Sequence, residues 1–227
     1  MRARLALAAL ALTGAALLAA LGVWQVERRA WKLALIARVD ARLAAAPVAP
    51  PPPVAWSTIG DDDAYRRLRV TGRWRAVPPV FVQAVTDLGG GFWVLQPLDT
   101  AWGTILINRG FVPQGARGPI PAAGGRTALT GLLRTSEPGG AFLRSNDPAA
   151  DRWYSRDTAA IAGARRIGPV APFFVDADAA TPGGWPRGGL TVVRFRNSHL
   201  VYALTWFALA GMMLFFAWRI ARTPRVG

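Results

Sequence analysis

The sequence predicts an α+β membrane protein: two transmembrane helices flanking a mostly antiparallel β extracytoplasmic domain with minor helices. Three observations lead there. Two long uncharged segments, Leu5–Val26 and Leu200–Trp218, lie near the chain ends. All 13 acidic residues fall between them, from Glu27 to Asp178. From Tyr65 onward the interior breaks into short apolar runs bounded by glycine and proline, the pattern of strands and turns.

The first uncharged run is 22 residues long and the second 19. At about 1.5 Å per residue each approaches or exceeds the roughly 30 Å hydrocarbon core of a bilayer. A segment in lipid must satisfy its own N–H and C=O groups, so both are expected to be helices. A cleaved signal peptide competes for the first run, because Arg2 and Arg4 precede it. The run exceeds a usual h-region, however, and has no clean cleavage site before Trp24, which reads as an interfacial anchor. Both terminal tails carry only arginine as charge, so residues 1–4 and 219–227 are expected in the cytoplasm and the long loop outside.

The expected division is span 5–26, helical stalk 27–46, Pro-rich spacer 47–64, β-rich periplasmic domain 65–198 and span 199–218. The stalk follows from the i, i+4, i+7 recurrence of Trp24, Arg28 and Trp31, continued by Leu35 and Val39. Pro47 and Pro50–Pro53 favour an extended spacer. Strands are expected at Arg67–Gly72, Val80–Val85, Phe92–Leu98, Thr104–Val112, Thr127–Leu133 and Thr191–Phe195. A short helix is expected over Thr158–Ala164, capped by Asp157 and closed by Gly168-Pro169.

Composition excludes much chemistry. With no cysteine there are no disulfides, thiolate metal sites, iron–sulfur clusters or cysteine nucleophiles, and with one histidine there is no His-rich metal site. The net charge of +14 rests almost wholly on arginines spread along the chain without a clustered basic run, which argues against nucleic acid. No Gly-Lys-Ser/Thr follows any glycine cluster, so no P-loop is read. Asp61-Asp62-Asp63 is either a solvated turn or a weak hard-cation site, lacking the spaced ligands of a calcium loop. Glutamate occurs twice, at Glu27 and Glu137, so paired-carboxylate hydrolysis has little to stand on; the chain is not expected to be an enzyme.

Two places remain. Arg109, in Asn108-Arg109-Gly110-Phe111 at the end of an expected strand, suits either a ligand carboxylate or an internal aspartate. His199 opens the second span, with Tyr202 and Trp206 three and seven residues on along one helix face. A two-span hairpin brings Trp24 and Gln25, at the end of the first span, to the same level. A haem-ligating imidazole among flat aromatic walls and a mere interfacial anchor both fit this pattern.

These residues carry a resemblance. Leu21–Lys32, Tyr65–Gly72, Phe92–Leu98, Ile107–Pro113, Trp153-Tyr154, Gly184-Trp185-Pro186 and Arg196–Phe207 resemble, in order, the blocks of the surfeit locus protein one family of cytochrome c oxidase assembly factors. Phe111 and Ser198 stand where many relatives have tryptophan and asparagine.

The resemblance implies a bacterial inner-membrane protein that assists maturation of the catalytic subunit of cytochrome c oxidase, holding haem a transiently and passing it onward, with the oxidase catalytic subunit or haem a synthase as docking partner. His199 matches the family histidine suspected of contacting haem. On that reading His199 ligates the iron, Trp24, Tyr202 and Trp206 pack the macrocycle, and Gln25 or Arg28 contacts its polar substituents. The alternative is a haem-free scaffold whose spans pack through Ala15, Ala19 and Gly22.

Overall fold

The computed structural model describes residues 2–116, 120, 122–141, 143–179, 184–191, 195 and 197–222. The chain divides into two compact units: Met1–Asp40 with Val193–Gly227, and Ala41–Val192.

The first unit is built from α1 (Arg2–Ala44) and, after the intervening unit, the terminal helix α3 (His199–Arg222). Both are long and apolar enough to cross a membrane. Their buried residues fall on a stripe spaced four and three: Ala11, Ala15, Gly22 and Gln25 on α1, and Ala203, Ala210 and Ala217 on α3. His199, Trp206 and Met213 fill the half-buried positions of the α3 stripe. This is the seven-residue seam of helices that pack along their length, with small residues allowing close backbone approach. A β-carbon at Gly14 would meet Met213, and one at Gly22 would meet Phe207, so the helices run antiparallel. Away from the seam, Leu5, Leu10, Leu17, Val201, Leu204 and Phe215 are exposed.

The second unit is a small closed barrel. Its strands are β1 (Arg67–Trp74), β2 (Val80–Thr86), β3 (Gly89–Thr100), β4 (Gly103–Pro113) and β5 (Arg126–Thr135), followed by the short hairpin β6 (Gly140–Ala141) and β7 (Arg144–Ser145). Helix α2 (Thr158–Arg165) and strand β8 (Val170–Ala177) complete it. The order β1-β5-β8-β4-β3-β2 closes on itself because the end of β3 also pairs with β1, Gly72 opposite Thr100 and Trp74 opposite Leu98. Five strands therefore form a ring and β2 lies along the first half of β3. Closure leaves few free strand edges.

Alternation sorts most of the core into two layers, with Phe92, Val94 and Val112 forming a third small cluster. Leu68, Val70, Leu98, Ile105, Ile107, Leu133, Phe173 and Val175 fill the barrel. Leu95, Leu106 and Phe174, pointing the other way, pack with Val80, Val82, Trp153 and Ile161 beneath α2. Strands β4 and β8 are thus buried on both faces, which is why Ile105–Ile107 and Phe173–Val175 read as continuous apolar runs rather than alternating ones. Asp157 caps α2 by accepting from the Ala160 amide, and Arg166 ends it in the left-handed region at φ 52°.

Four points add to or depart from these expectations. The sheet is mostly antiparallel, but β4 and β8 pair in parallel and complete the ring. Strand β8 was not expected, because Pro172 interrupts it; the proline sits where the β4–β8 register slips between Thr104–Val170 and Leu106–Phe174, an irregularity that tolerates a missing donor. Of the expected strand Thr191–Phe195, residues 192–194 lie outside the described residues, as does Arg196, and Thr191 and Phe195 are in no strand. The proline segment is no free spacer: Val48 bridges to Leu68, Pro53–Thr58 forms a 3-10 turn, and Trp56 meets Phe173 edge-on at 6.4 Å.

Candidate functional site

Gln25 and His199 meet across the α1–α3 seam, with Gln25 Oε1 2.7 Å from His199 Nδ1. Helix periodicity explains the meeting: both occupy seam positions, Gln25 three residues after Gly22 and His199 four before Ala203. Gln25 is buried, the one polar side chain among the buried residues of α1, while His199 is half-buried.

The other expected residues separate by their angle around the helices. Trp206 lies on the seam two turns beyond His199. Trp24 and Tyr202 are 52% and 54% exposed, so neither is packed into the protein. At about 100° per residue Trp24 and Arg28 fall on one flank of α1 and Tyr202 on one flank of α3. An antiparallel pair brings those two flanks to the same side. Arg28 stacks on Trp31 with its guanidinium carbon 4.0 Å from the ring centroid. Lys32 lies 5.0 Å from the centroid of Phe195. Around the one imidazole, the hairpin therefore presents exposed aromatics and cations on one side. Gln25 turns its amide oxygen toward the histidine.

A second polar centre lies in the barrel. Asp176 on β8 is 5% exposed and accepts from Asn108 Nδ2 at 2.7 Å, Thr191 Oγ1 at 2.8 Å, Arg134 Nη1 at 3.1 Å and Arg156 Nη1 at 3.3 Å. Arg156 also grips Glu137 through Nη2 at 2.5 Å and Nε at 3.0 Å, and lies 4.6 Å from the centroid of Phe174. Burial pushes the Glu137 carboxyl up, but the hydrogen bonds and charge of Arg156 outweigh it and hold the group below its ordinary value. Burial also opposes the charge on Arg156, and the Glu137 hydrogen bonds with the Asp176 field raise its pKa nonetheless. Carboxylates and guanidiniums satisfy one another here, which suits a structural pin between β4, β5 and β8.

Arg109 does not join that network: it donates to Gln96 Oε1 at 3.1 Å, and burial lowers its pKa. Its neighbours carry the motif's structural meaning. Asn108 accepts the Gly110 amide at 3.1 Å, and Phe111 exchanges two backbone bonds of 2.9 Å with Arg187. Gly110 has φ +130°, and a β-carbon there would collide with the Arg187 carbonyl. Trp185 packs edge-on against Phe111 at 6.4 Å. Trp153 is core, its indole donating to Asp151 at 2.7 Å. Of the aspartate triplet, Asp63 caps its own turn and pairs with Arg66 at 2.8 Å. Among the described residues no cluster of three metal-ligating side chains occurs.

A family model, the SURF1 family, matches residues 12–211, which take in the seam of α1, the whole barrel and half of α3. The chain belongs to the SURF1 family. Surfeit locus protein 1 of Homo sapiens is 36% identical, over 91% of this chain and 75% of its own length. The Rattus norvegicus protein of the same name is 35% identical over 91% of this chain and 73% of its own. A SURF1-like protein of Monosiga brevicollis is 34% identical over 86% and 79%. The SURF1 match reaches into both long helices, so Gln25 and His199 lie within the family region rather than on appended anchors.

Proposed function

We propose that this SURF1-family chain is a two-pass protein of a bacterial inner membrane, with its barrel in the periplasm and both termini cytoplasmic. It assists assembly of cytochrome c oxidase by holding haem a transiently and presenting it to the catalytic subunit; haem a synthase is the proposed donor. The chain is not an enzyme on this reading. The observation that carries the proposal is the Gln25–His199 contact, which joins the middle of α1 to the first residue of α3.

The residues fit a haem. An imidazole is a common axial ligand, and ligating histidines ordinarily have their second ring nitrogen hydrogen-bonded; here Gln25 Oε1 lies 2.7 Å from His199 Nδ1. Haem iron, when bound, supplies an electrophilic centre open to axial ligation. Trp24 and Tyr202 offer exposed flat surfaces, and Arg28 can neutralise a propionate. Trp206, half-buried on His199's own stripe, would add an aromatic surface to a bound macrocycle. With a single histidine in the chain, only one imidazole ligand is available, which favours release over permanent retention.

A haem-free scaffold for oxidase subunits is the second reading, favoured by the small-residue seam of Ala11, Ala15, Gly22, Ala203, Ala210 and Ala217. Complementation separates the two. In a strain lacking this gene, the wild type restores haem a in the oxidase catalytic subunit and His199→Ala does not. A scaffold leaves the variant as active as the wild type. Because the chain has no cysteine, single cysteines placed in the barrel and in the tails report orientation by labelling from the periplasm.

A further inference from the structure

A buried carboxamide in an apolar helix seam is costly unless bonded, and the other buried residues of α1 are alanine, glycine and valine. Packing alone gives no reason for glutamine at position 25. We propose that Gln25 is a positioning residue: its amide oxygen locks the His199 imidazole in the Nδ1–H tautomer, leaving Nε2 as the lone-pair atom for axial ligation of haem iron. The ligation half rests on the haem reading above; the tautomer half rests on the hydrogen bond alone.

The chemistry is determined by the acceptor. Oε1 carries no hydrogen, so Nδ1 donates in the 2.7 Å contact, and a neutral ring protonated at Nδ1 is bare at Nε2. Among the described residues, Nε2 has no hydrogen-bond partner competing for that lone pair. The carboxamide is itself held in place, because Gly22 one turn away lets the helices approach closely and Gln25 is shielded from water. Free imidazole interconverts tautomers; this seam selects one and fixes the ring plane.

The choice of amide over carboxylate also has a consequence. A carboxylate at the second nitrogen makes imidazole a stronger donor, whereas a neutral amide orients it with less electronic push. That suits a ligand required to let go.

The single histidine makes the test unambiguous. The full chain, labelled with 15N-histidine, is purified in detergent micelles and its ring nitrogens read by NMR above the ordinary imidazole pKa of about 6.5. Wild type, Gln25→Leu and Gln25→Glu are compared, and each is titrated with haem a. The proposal expects the proton on Nδ1 in wild type, its transfer to Nε2 in Gln25→Leu, and haem a affinity about 10–100-fold weaker in that variant. Gln25→Glu keeps the acceptor, so it retains Nδ1–H and binds haem a at least as tightly. A wild-type ring protonated on Nε2, or an unchanged tautomer in Gln25→Leu, overturns the proposal. A wild type that takes up no haem a, with the tautomer change intact, overturns the haem reading and the ligation half alone. The wild-type spectrum decides the tautomer even if Gln25→Leu fails to fold.

Discussion

Gly22 lies so close to Phe207 that a β-carbon on it would stand 2.5 Å from the aromatic ring. The helix pair depends on that missing side chain, since Gly22 is one turn from Gln25 and sets the distance across which it reaches His199. Gly22→Leu is expected to cost about 1–3 kcal/mol through overpacking. Leu17→Ala, on an outward face, should change stability by less than about 0.5 kcal/mol. Reversible unfolding of the two purified variants in mixed micelles checks the contrast.

Gly110 faces the Arg187 carbonyl at a positive φ, with the Phe111–Arg187 bridge alongside. Gly110→Ala must strain the backbone and push this bridge apart, a loss on the order of 1–3 kcal/mol. Tryptophan fluorescence should also change in the folded state, because Trp185 packs against Phe111. A variant with wild-type melting and emission would show that the turn has room to adjust.

Asp176 is the buried anion of the barrel, and removing it leaves Arg134 and Arg156 to share the Glu137 carboxylate alone. Asp176→Ala should cost about 3–5 kcal/mol, as for a broken buried pair. Thermal melting of the full chain measures it. A loss under about 1 kcal/mol would mean that water replaces the carboxylate at little cost.

Glu137 is held below the ordinary glutamate pKa of about 4.3, so its contribution to stability is fully present above that value and disappears as pH falls through the lower folded-state pKa. Wild type should therefore be more stable than Glu137→Gln at neutral pH, and the gap between the two melting curves should close as pH falls through the lowered folded-state pKa. A stability gap that persists unchanged into strong acid would contradict the assignment.

The sequence revealed what repeats locally. Long uncharged runs marked α1 and α3, and five of the barrel strands stood out because glycine or proline bounds them. Closure of the barrel did not show, since it depends on β8, whose Pro172 argues against a strand until the irregular register accommodates it. Nor did the Asp176 network: Asn108, Arg134, Arg156 and Asp176 are far apart in sequence, and no spacing links them. At the candidate site, His199 was visible by position, but the role of Gln25 was not. The four–three spacing from Ala11 through Ala15 to Gly22 and Gln25 was the available signal, placing a polar residue where the seam requires a small or apolar one.

The most direct test of the central claim is optical. The chain is co-expressed with haem a synthase, purified, and its Soret absorption recorded beside His199→Ala of equal helical content. The account predicts a haem a band in the wild type that is lost in the variant. A haem-free wild type, or a band of equal strength in His199→Ala, would contradict it.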